Sequence, residues 1–318
     1  MASTKIGLGL AALGRPEYIN IRDNKSIDKS VDAFKNNAFL VLDEAYTLGV
    51  RYFDTAPSYG KGEAFLEAWH VKNNYPDVVL GTKWGYTYVA NWKLGFSGKH
   101  EIKEHALGKL QEQWQVSKRM LPKLKYYQVH SATFESGILE NNPVLNQLSD
   151  IKKETGLNIG ITTSGANQKA VIEAALNLQI NGEALFDSFQ VTYNIFEQST
   201  FSILKNTLQQ GKNVIIKEAL ANGRVFPNEK FQHYQASYKK MQHLSEKYQV
   251  GIDAIALRFV IDSLNPTYVL SGASNTKQLQ ENLKALHFVF TEQELEALKA
   301  VNVKTEAYWK ERSLLHWN

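Results

Sequence analysis

Four polar side chains stand where short apolar runs end, and together they could give a proton to a carbonyl oxygen. Asp54 closes the run RYFD, Tyr59 follows in the loop TAPSYG, Lys83 closes VVLGTK and His130 closes YYQVH. A free phenol ionises near pH 10, too high for an efficient acid at neutrality, but a neighbouring ammonium favours the phenolate and lowers that value. Lys83 is expected to supply this field, and Asp54 to keep Lys83 charged and fixed. His130 would hydrogen-bond the same carbonyl oxygen and orient the substrate. Each residue alone reads as readily as a salt-bridge partner, a packed tyrosine or a satisfied histidine, so the reading rests on finding them together on consecutive runs. None is a hydride source, and a carbonyl reduction would need a nicotinamide cofactor.

The elements that must position these residues follow from periodicity. Short β-branched or apolar runs at 5–10, 51–54, 78–82, 126–129, 157–162, 188–191, 213–216 and 268–270 alternate with amphipathic stretches such as 32–48, 100–121, 168–179 and 234–248. Roughly eight βα units predict a (β/α)8 barrel as a single domain over the whole chain, with chemistry at the C-terminal ends of the strands. The string GLGLAA at 7–12 fits G-x-G-x-x-A, but Gly14-Arg15-Pro16 would break the helix that a dinucleotide turn must open, so a doubly wound sheet is not expected. Near the C-terminus, Thr291 and Glu294 have capping-box spacing, and Tyr308, Trp309 and Trp317 form an aromatic tail that could cover the barrel mouth.

Composition narrows the function classes. Of 318 residues, 43% are hydrophobic and 21% charged, which excludes a disordered or fibrous chain. The chain has no cysteine, so disulfides, thiolate metal sites and a cysteine nucleophile drop out, and a reducing, cytoplasmic setting is expected. A net charge of +4 spread along the chain does not indicate nucleic-acid binding. No apolar run is long enough for a membrane span, and no signal peptide is expected. HEIKEH at 100–105 fits neither zinc-protease spacing, and it reads as a solvated helix face. Glu63 and Glu67, one helical turn apart, read as surface residues.

The string GVRYFDTAPSYGKGE at 49–63, with GTK at 81–83 and YYQVH at 126–130 in order after it, resembles the aldo-keto reductase family, and the likeness extends over about residues 5–286. The resemblance implies Tyr59 as general acid/base, Lys83 as the partner that lowers its pKa, Asp54 as the anchor of Lys83 and His130 as the orienting donor. It further implies nicotinamide dinucleotide bound across the barrel mouth without a Rossmann unit. Thr162 and Thr163 of GITTSG stand where the family has a serine-asparagine pair, and Gln190 matches a glutamine that reaches the nicotinamide. Lys217 and Glu218 replace the first two residues of a Tyr-Ser-Pro-Leu segment, with Leu220 retained. The stacking aromatic is therefore missing, and Trp84, Tyr86 or Tyr193 would line the ring, with Trp84 and Tyr86 also expected beside the substrate. In LSGASNTKQLQENLKA at 270–285, the nucleotide phosphates would meet the amides from Gly272 to Asn275 and the helix that follows. Gly272 or Ser274 and Gln278 take the places of the usual cations, Lys277 remains nearby, and Asn282 completes this end. NADP(H) is expected, with measurable NAD(H) use. The substrate would be a small carbonyl compound reduced to an alcohol, or an aldose oxidised in reverse, chosen by loops at 84–96 and 222–234 and by the tail. Two rivals stay open: a Schiff-base aldolase using Lys83 or Lys217, and a reductase-like subunit that binds a channel or another partner.

Overall fold

The computed structural model describes residues 5–18 and 28–316, so Trp317 of the predicted tail lies outside the described residues. Eight parallel strands close into a barrel: β1 (Ile6–Gly9), β2 (Tyr52–Asp54), β3 (Val79–Trp84), β4 (Leu124–Val129), β5 (Asn158–Thr162), β6 (Ser188–Thr192), β7 (Asn213–Lys217) and β8 (Tyr268–Ser271). Each pairs with the next, and β8 returns to β1 with Ser271 opposite Leu8. Around them run α1 (Val31–Thr47), α2 (Gly62–Asn73), α3 (Leu107–Ser117), α4 (Asn142–Thr155), α5 (Gln168–Leu176), α6 (Phe201–Gln209), α7 (Gln235–Tyr248) and α8 (Ile252–Leu264). Then come α9 (Thr276–Leu283), α10 (Glu292–Lys299) and α11 (Thr305–Ser313). The expected (β/α)8 barrel is present, and its strands lie within two residues of the predicted runs. None of the described helices is long and apolar enough to cross a membrane.

The period-two geometry of a strand decides what faces the site. In β2, Phe53 points outward onto Trp69 of α2, with ring centroids 5.0 Å apart. Tyr52 and Asp54 point inward, and Tyr52 stacks on Tyr268 at 4.3 Å and meets the edge of Tyr126 at 5.4 Å. These rings, with Ile215, form the floor of the barrel. Gly81 of β3 makes room for them, because a side chain there would collide with the Tyr52 hydroxyl. Caps fix the helices: Ser30 accepts from the Ala33 amide at the start of α1, and Thr291 with Glu294 forms the predicted capping box of α10.

Two expectations need correction. The helix read over 100–121 starts only at Leu107, because residues 101–103 pair antiparallel with residues 86–88 across the barrel mouth. Tyr86-Thr87-Tyr88 offers a β-prone partner strand, and that pairing overrides the helical spacing of HEIKEH. His100 and His105 are therefore buried rather than solvated, and a His105 ring nitrogen lies 3.0 Å from the His130 carbonyl oxygen. Glu63 is buried as well. It turns from α2 toward the outer face of β3 and accepts from the hydroxyls of Thr82 and Ser117 at 2.7 and 2.8 Å. Burial pushes its carboxyl up, against those two hydrogen bonds.

Candidate active site

Asp54 sits at the end of β2 with its carboxylate saturated by donors. Lys83 ion-pairs with one oxygen, and the Tyr52 hydroxyl and the Gln190 amide donate to the other at 3.0 and 2.9 Å. Lys83 is fully buried and also donates to the Thr55 carbonyl at 2.9 Å. Its ammonium lies 4.8 Å from the centre of the Tyr59 ring. The His130 and Tyr59 rings are 5.7 Å apart and nearly perpendicular, and Tyr86 packs on the other side of His130 at 4.8 Å. The four predicted residues do come together.

Asp54, Tyr59, Tyr86 and His130 open onto a cavity of about 760 Å³ at the C-terminal end of the barrel. Its electrostatics differ from the expectation. Burial, reinforced by the Asp54 carboxylate, holds the Tyr59 phenol far above its ordinary value, and the Arg15 guanidinium is the cation that opposes this. Lys83, the cation anticipated for that role, is ion-paired with Asp54. Burial, with the charges of Lys83, Lys217 and Arg15, holds His130 well below its ordinary value, so its ring is neutral.

The same cavity reaches Thr162, Gln190, Lys217, Glu218 and Leu220, then Gly272, Gln278 and Asn282 beyond β8. The Thr162 hydroxyl accepts from the Ser131 amide at 2.7 Å. Lys217 donates to the hydroxyls of Ser164 and Thr192, both at 2.9 Å, and burial pushes its ammonium down to about 8. Glu218 bonds Arg312 of α11 at 2.8 Å. Burial would raise its carboxyl, but Arg312 and Lys217 outweigh that and hold it far below the usual carboxylate range.

Several predicted residues lie elsewhere. Trp84 is fully buried in the core, because it follows the inward-facing Lys83 in β3 and so points outward. Tyr193 is also buried, stacked on Phe259 with ring centroids 6.0 Å apart. Thr163 lies behind the cavity wall, where its amide donates to the Gln190 carbonyl. Ser274 turns back, its amide and hydroxyl donating to Gln278 at 2.9 and 3.0 Å, and Lys277 is exposed; neither lines the cavity. The tail does line the mouth through Trp309 and Arg312, with Tyr308 buried beneath.

Arg15, Tyr18, Glu101, Ser164 and Arg312 line the cavity and were missed. A signal for Arg15 existed in Gly14. A side chain there would collide with the Tyr59 carbonyl and with Gly62, so the loop after β1 docks directly on the loop that carries Tyr59. Among the described residues, no three His, Asp or Glu side chains are grouped to hold a metal ion.

Comparison with known proteins agrees with this architecture. The chain is 24% identical to an uncharacterized oxidoreductase of Bacillus subtilis (strain 168), YqkF, over 89% of this chain and 93% of that one. It is 26% identical to the norsolorinic acid reductase stcV of Emericella nidulans, over 83% and 71% of the two chains. Among solved structures, aldo-keto reductase AKR11C1 from Bacillus halodurans superposes with a TM-score of 0.68 at 19% identity, covering 96% of this chain and 95% of that one. The glycerol dehydrogenase AKR11B4 from Gluconobacter oxydans gives 0.70 at 19%, covering 94% and 91%. The profile of the Aldo/keto reductase family matches residues 5–303, and the chain belongs to that family.

Proposed function

We propose that this oxidoreductase reduces a small aldehyde or ketone to an alcohol, or oxidises an aldose in reverse, with Tyr59 as the proton donor and acceptor and the chain acting as one domain. The observation that carries the reading is that Tyr59 and a neutral His130 face one cavity directly above the Lys83–Asp54 pair. The cavity suits a nicotinamide dinucleotide. Gln190 Oε1 beside Asp54 and Asn282 Oδ1 on α9 are buried acceptors with no hydrogen-bond partner, and a carboxamide and an aminopurine each carry N–H groups to satisfy them. When bound, that nucleotide would supply the hydride.

The chain's own residues manage the proton. The Ser58 hydroxyl lies 3.4 Å from His130 Nδ1; acting as donor there, it would leave the imidazole proton on Nε2, free to hydrogen-bond the carbonyl oxygen. The same oxygen accepts the Tyr59 proton as negative charge grows on it, while Asp54 and Gln190 hold the ammonium of Lys83 and the cavity floor in place. Of the residues that line the nucleotide end from β8 to α9, none is cationic, and Asp253 of α8 lines the cavity too. Discrimination in favour of a 2′-phosphate should therefore be modest, with NADP(H) and NAD(H) both used.

Tyr59→Phe keeps the ring and removes the proton. Turnover should fall by about two to four orders of magnitude, the range for general acid catalysis. Nucleotide binding, followed by quenching of tryptophan fluorescence, should survive. Near-normal turnover in Tyr59→Phe would overturn the assignment.

A further inference from the structure

We propose that Arg15 is a positioning residue of this site, its guanidinium held against the Tyr59 ring so that a fixed positive charge faces the group that gives and takes the proton. The proposal rests on the reading of Tyr59 above and extends it to a residue to which the resemblance assigns no role. Arg15 is almost completely buried, and its guanidinium carbon lies 5.1 Å from the centre of the Tyr59 ring and 4.9 Å from that of Tyr18. Its Nη1 donates to the Ser58 carbonyl at 3.2 Å, one residue before Tyr59, and ion-pairs with Glu101.

The backbone leaves little slack in this placement. Leu13 and Gly14 donate back to the Leu10 carbonyl at 3.0 and 2.8 Å, and the Gly14 carbonyl accepts from the Lys61 amide at 2.7 Å. Arg15 therefore leaves a short, closed turn that is bonded on both sides of Tyr59. A planar guanidinium on an aromatic face is a favourable arrangement, and it cannot be lost by deprotonation.

The groups facing Tyr59 show why this charge matters. Asp54 on β2 is ion-paired with Lys83 on β3, and its carboxylate still pushes the Tyr59 phenol up. Glu101 on the hairpin strand and Glu218 after β7 add negative potential, and His130 and Tyr18 are neutral. Arg15 draws the phenol toward ionisation, against burial and the carboxylates. A unit charge at 5.1 Å, partly offset by its Glu101 partner, shifts the ionisation by about one pH unit at an effective dielectric constant of ~20 to 40.

The test places 3,5-difluorotyrosine at position 59, which brings the phenol into a measurable range, and follows its fluorine resonance against pH in the protein without nucleotide. Arg15→Gln should move the midpoint up by about one unit, and Arg15→Lys should recover at least half of that. Glu101→Gln removes the opposing carboxylate and should move the midpoint down, which keeps the test open should Arg15→Gln fail to fold. In turnover, the Tyr59-dependent limb of the pH profile should shift with the fluorine midpoint. An unchanged midpoint in Arg15→Gln or in Glu101→Gln overturns the proposal, as does a rise in KM alone, which would make Arg15 a substrate anchor. The two readings fail separately: normal turnover in Tyr59→Phe refutes the proton-donor role and leaves the fluorine shift to judge Arg15.

Discussion

Asp54→Asn should damage the fold as well as the chemistry, by an amount the geometry allows one to work out. Lys83 is fully buried, and its ammonium ends in Asp54 and the Thr55 carbonyl. Asparagine keeps the volume but puts a neutral amide where the charge was. Removing one partner of a buried ion pair costs about 3 to 5 kcal/mol, because the other charge stays desolvated. At about 2 °C for each kcal/mol in a chain of this size, the melting midpoint should fall by roughly 6 to 10 °C at pH 7. The sign of the pH dependence separates this cause from packing damage. The stranded ammonium can escape by losing its proton, whereas the unfolded chain keeps that proton up to about pH 10. The folded variant then binds fewer protons than its unfolded form, so its deficit should shrink as pH rises from 7 toward 10. Asp54→Asn/Lys83→Met removes the charge altogether and should be at least about 2 kcal/mol more stable than Asp54→Asn while remaining inactive. Denaturant and thermal unfolding followed by circular dichroism would show this. A loss under about 1 kcal/mol for the single variant, or a double variant less stable than the single one, would refute the reasoning.

At the nucleotide end, Gln278→Arg should tighten NADP(H) by about tenfold or more and leave NAD(H) unchanged, since one charge-assisted bond to a phosphate contributes ~1.5 to 3 kcal/mol. Fluorescence titration would read both, and a preference for NADP(H) above about a thousandfold in the unmutated protein would contradict a site without its own cation there. Lys217 is charged at some cost below pH 8 and is relieved as pH climbs from about 8 toward its ordinary value. Lys217→Met should therefore raise the melting midpoint most below pH 8, with the gain fading at higher pH; a gain that grows with pH would be the wrong sign. Mass spectrometry after borohydride treatment with a carbonyl substrate should find no adduct at Lys217, and an adduct there would favour the aldolase alternative.

The barrel was legible because each strand is a short apolar run and each crossover carries its own amphipathic signal, so local pattern and global fold agree. The candidate set was legible because its members sit at strand ends or in the loop just after one. Strand parity would have gone further. Once Lys83 is placed inward in β3, Gly81 must also point in, and Thr82 and Trp84 must point out. The structure follows this rule, with Thr82 bonded to Glu63 on α2 and Trp84 in the core. Trp84 was thus excluded as a substrate contact by information already in the sequence. The antiparallel pairing of residues 86–88 with 101–103 is different. It joins a β-prone segment to one whose spacing reads as helical, and only the paired state places His105 beneath His130 and Glu101 beside Arg15.

The end of β7 shows what replaces an expected contact when a family segment changes. Two charged residues stand where an aromatic was anticipated, and neither is left to water. Glu218, in a left-handed backbone conformation at φ 54°, holds Arg312 of α11. Asn194 donates both to the Glu218 carbonyl and to the Tyr308 hydroxyl, at 3.0 and 2.8 Å. Arg224, two turns of chain further on, lies 4.1 Å from the centre of the Tyr308 ring and bonds the Tyr308 carbonyl at 3.1 Å. The tail that the sequence offered only as a cover is therefore built into the cavity wall by buried ionic and polar contacts. Such contacts are costly to break singly, because each leaves a desolvated partner behind. The charge at 218 follows from that arrangement: it holds α11 over the barrel through Arg312, and α11 in turn brings Trp309 and Arg312 to the mouth of the cavity.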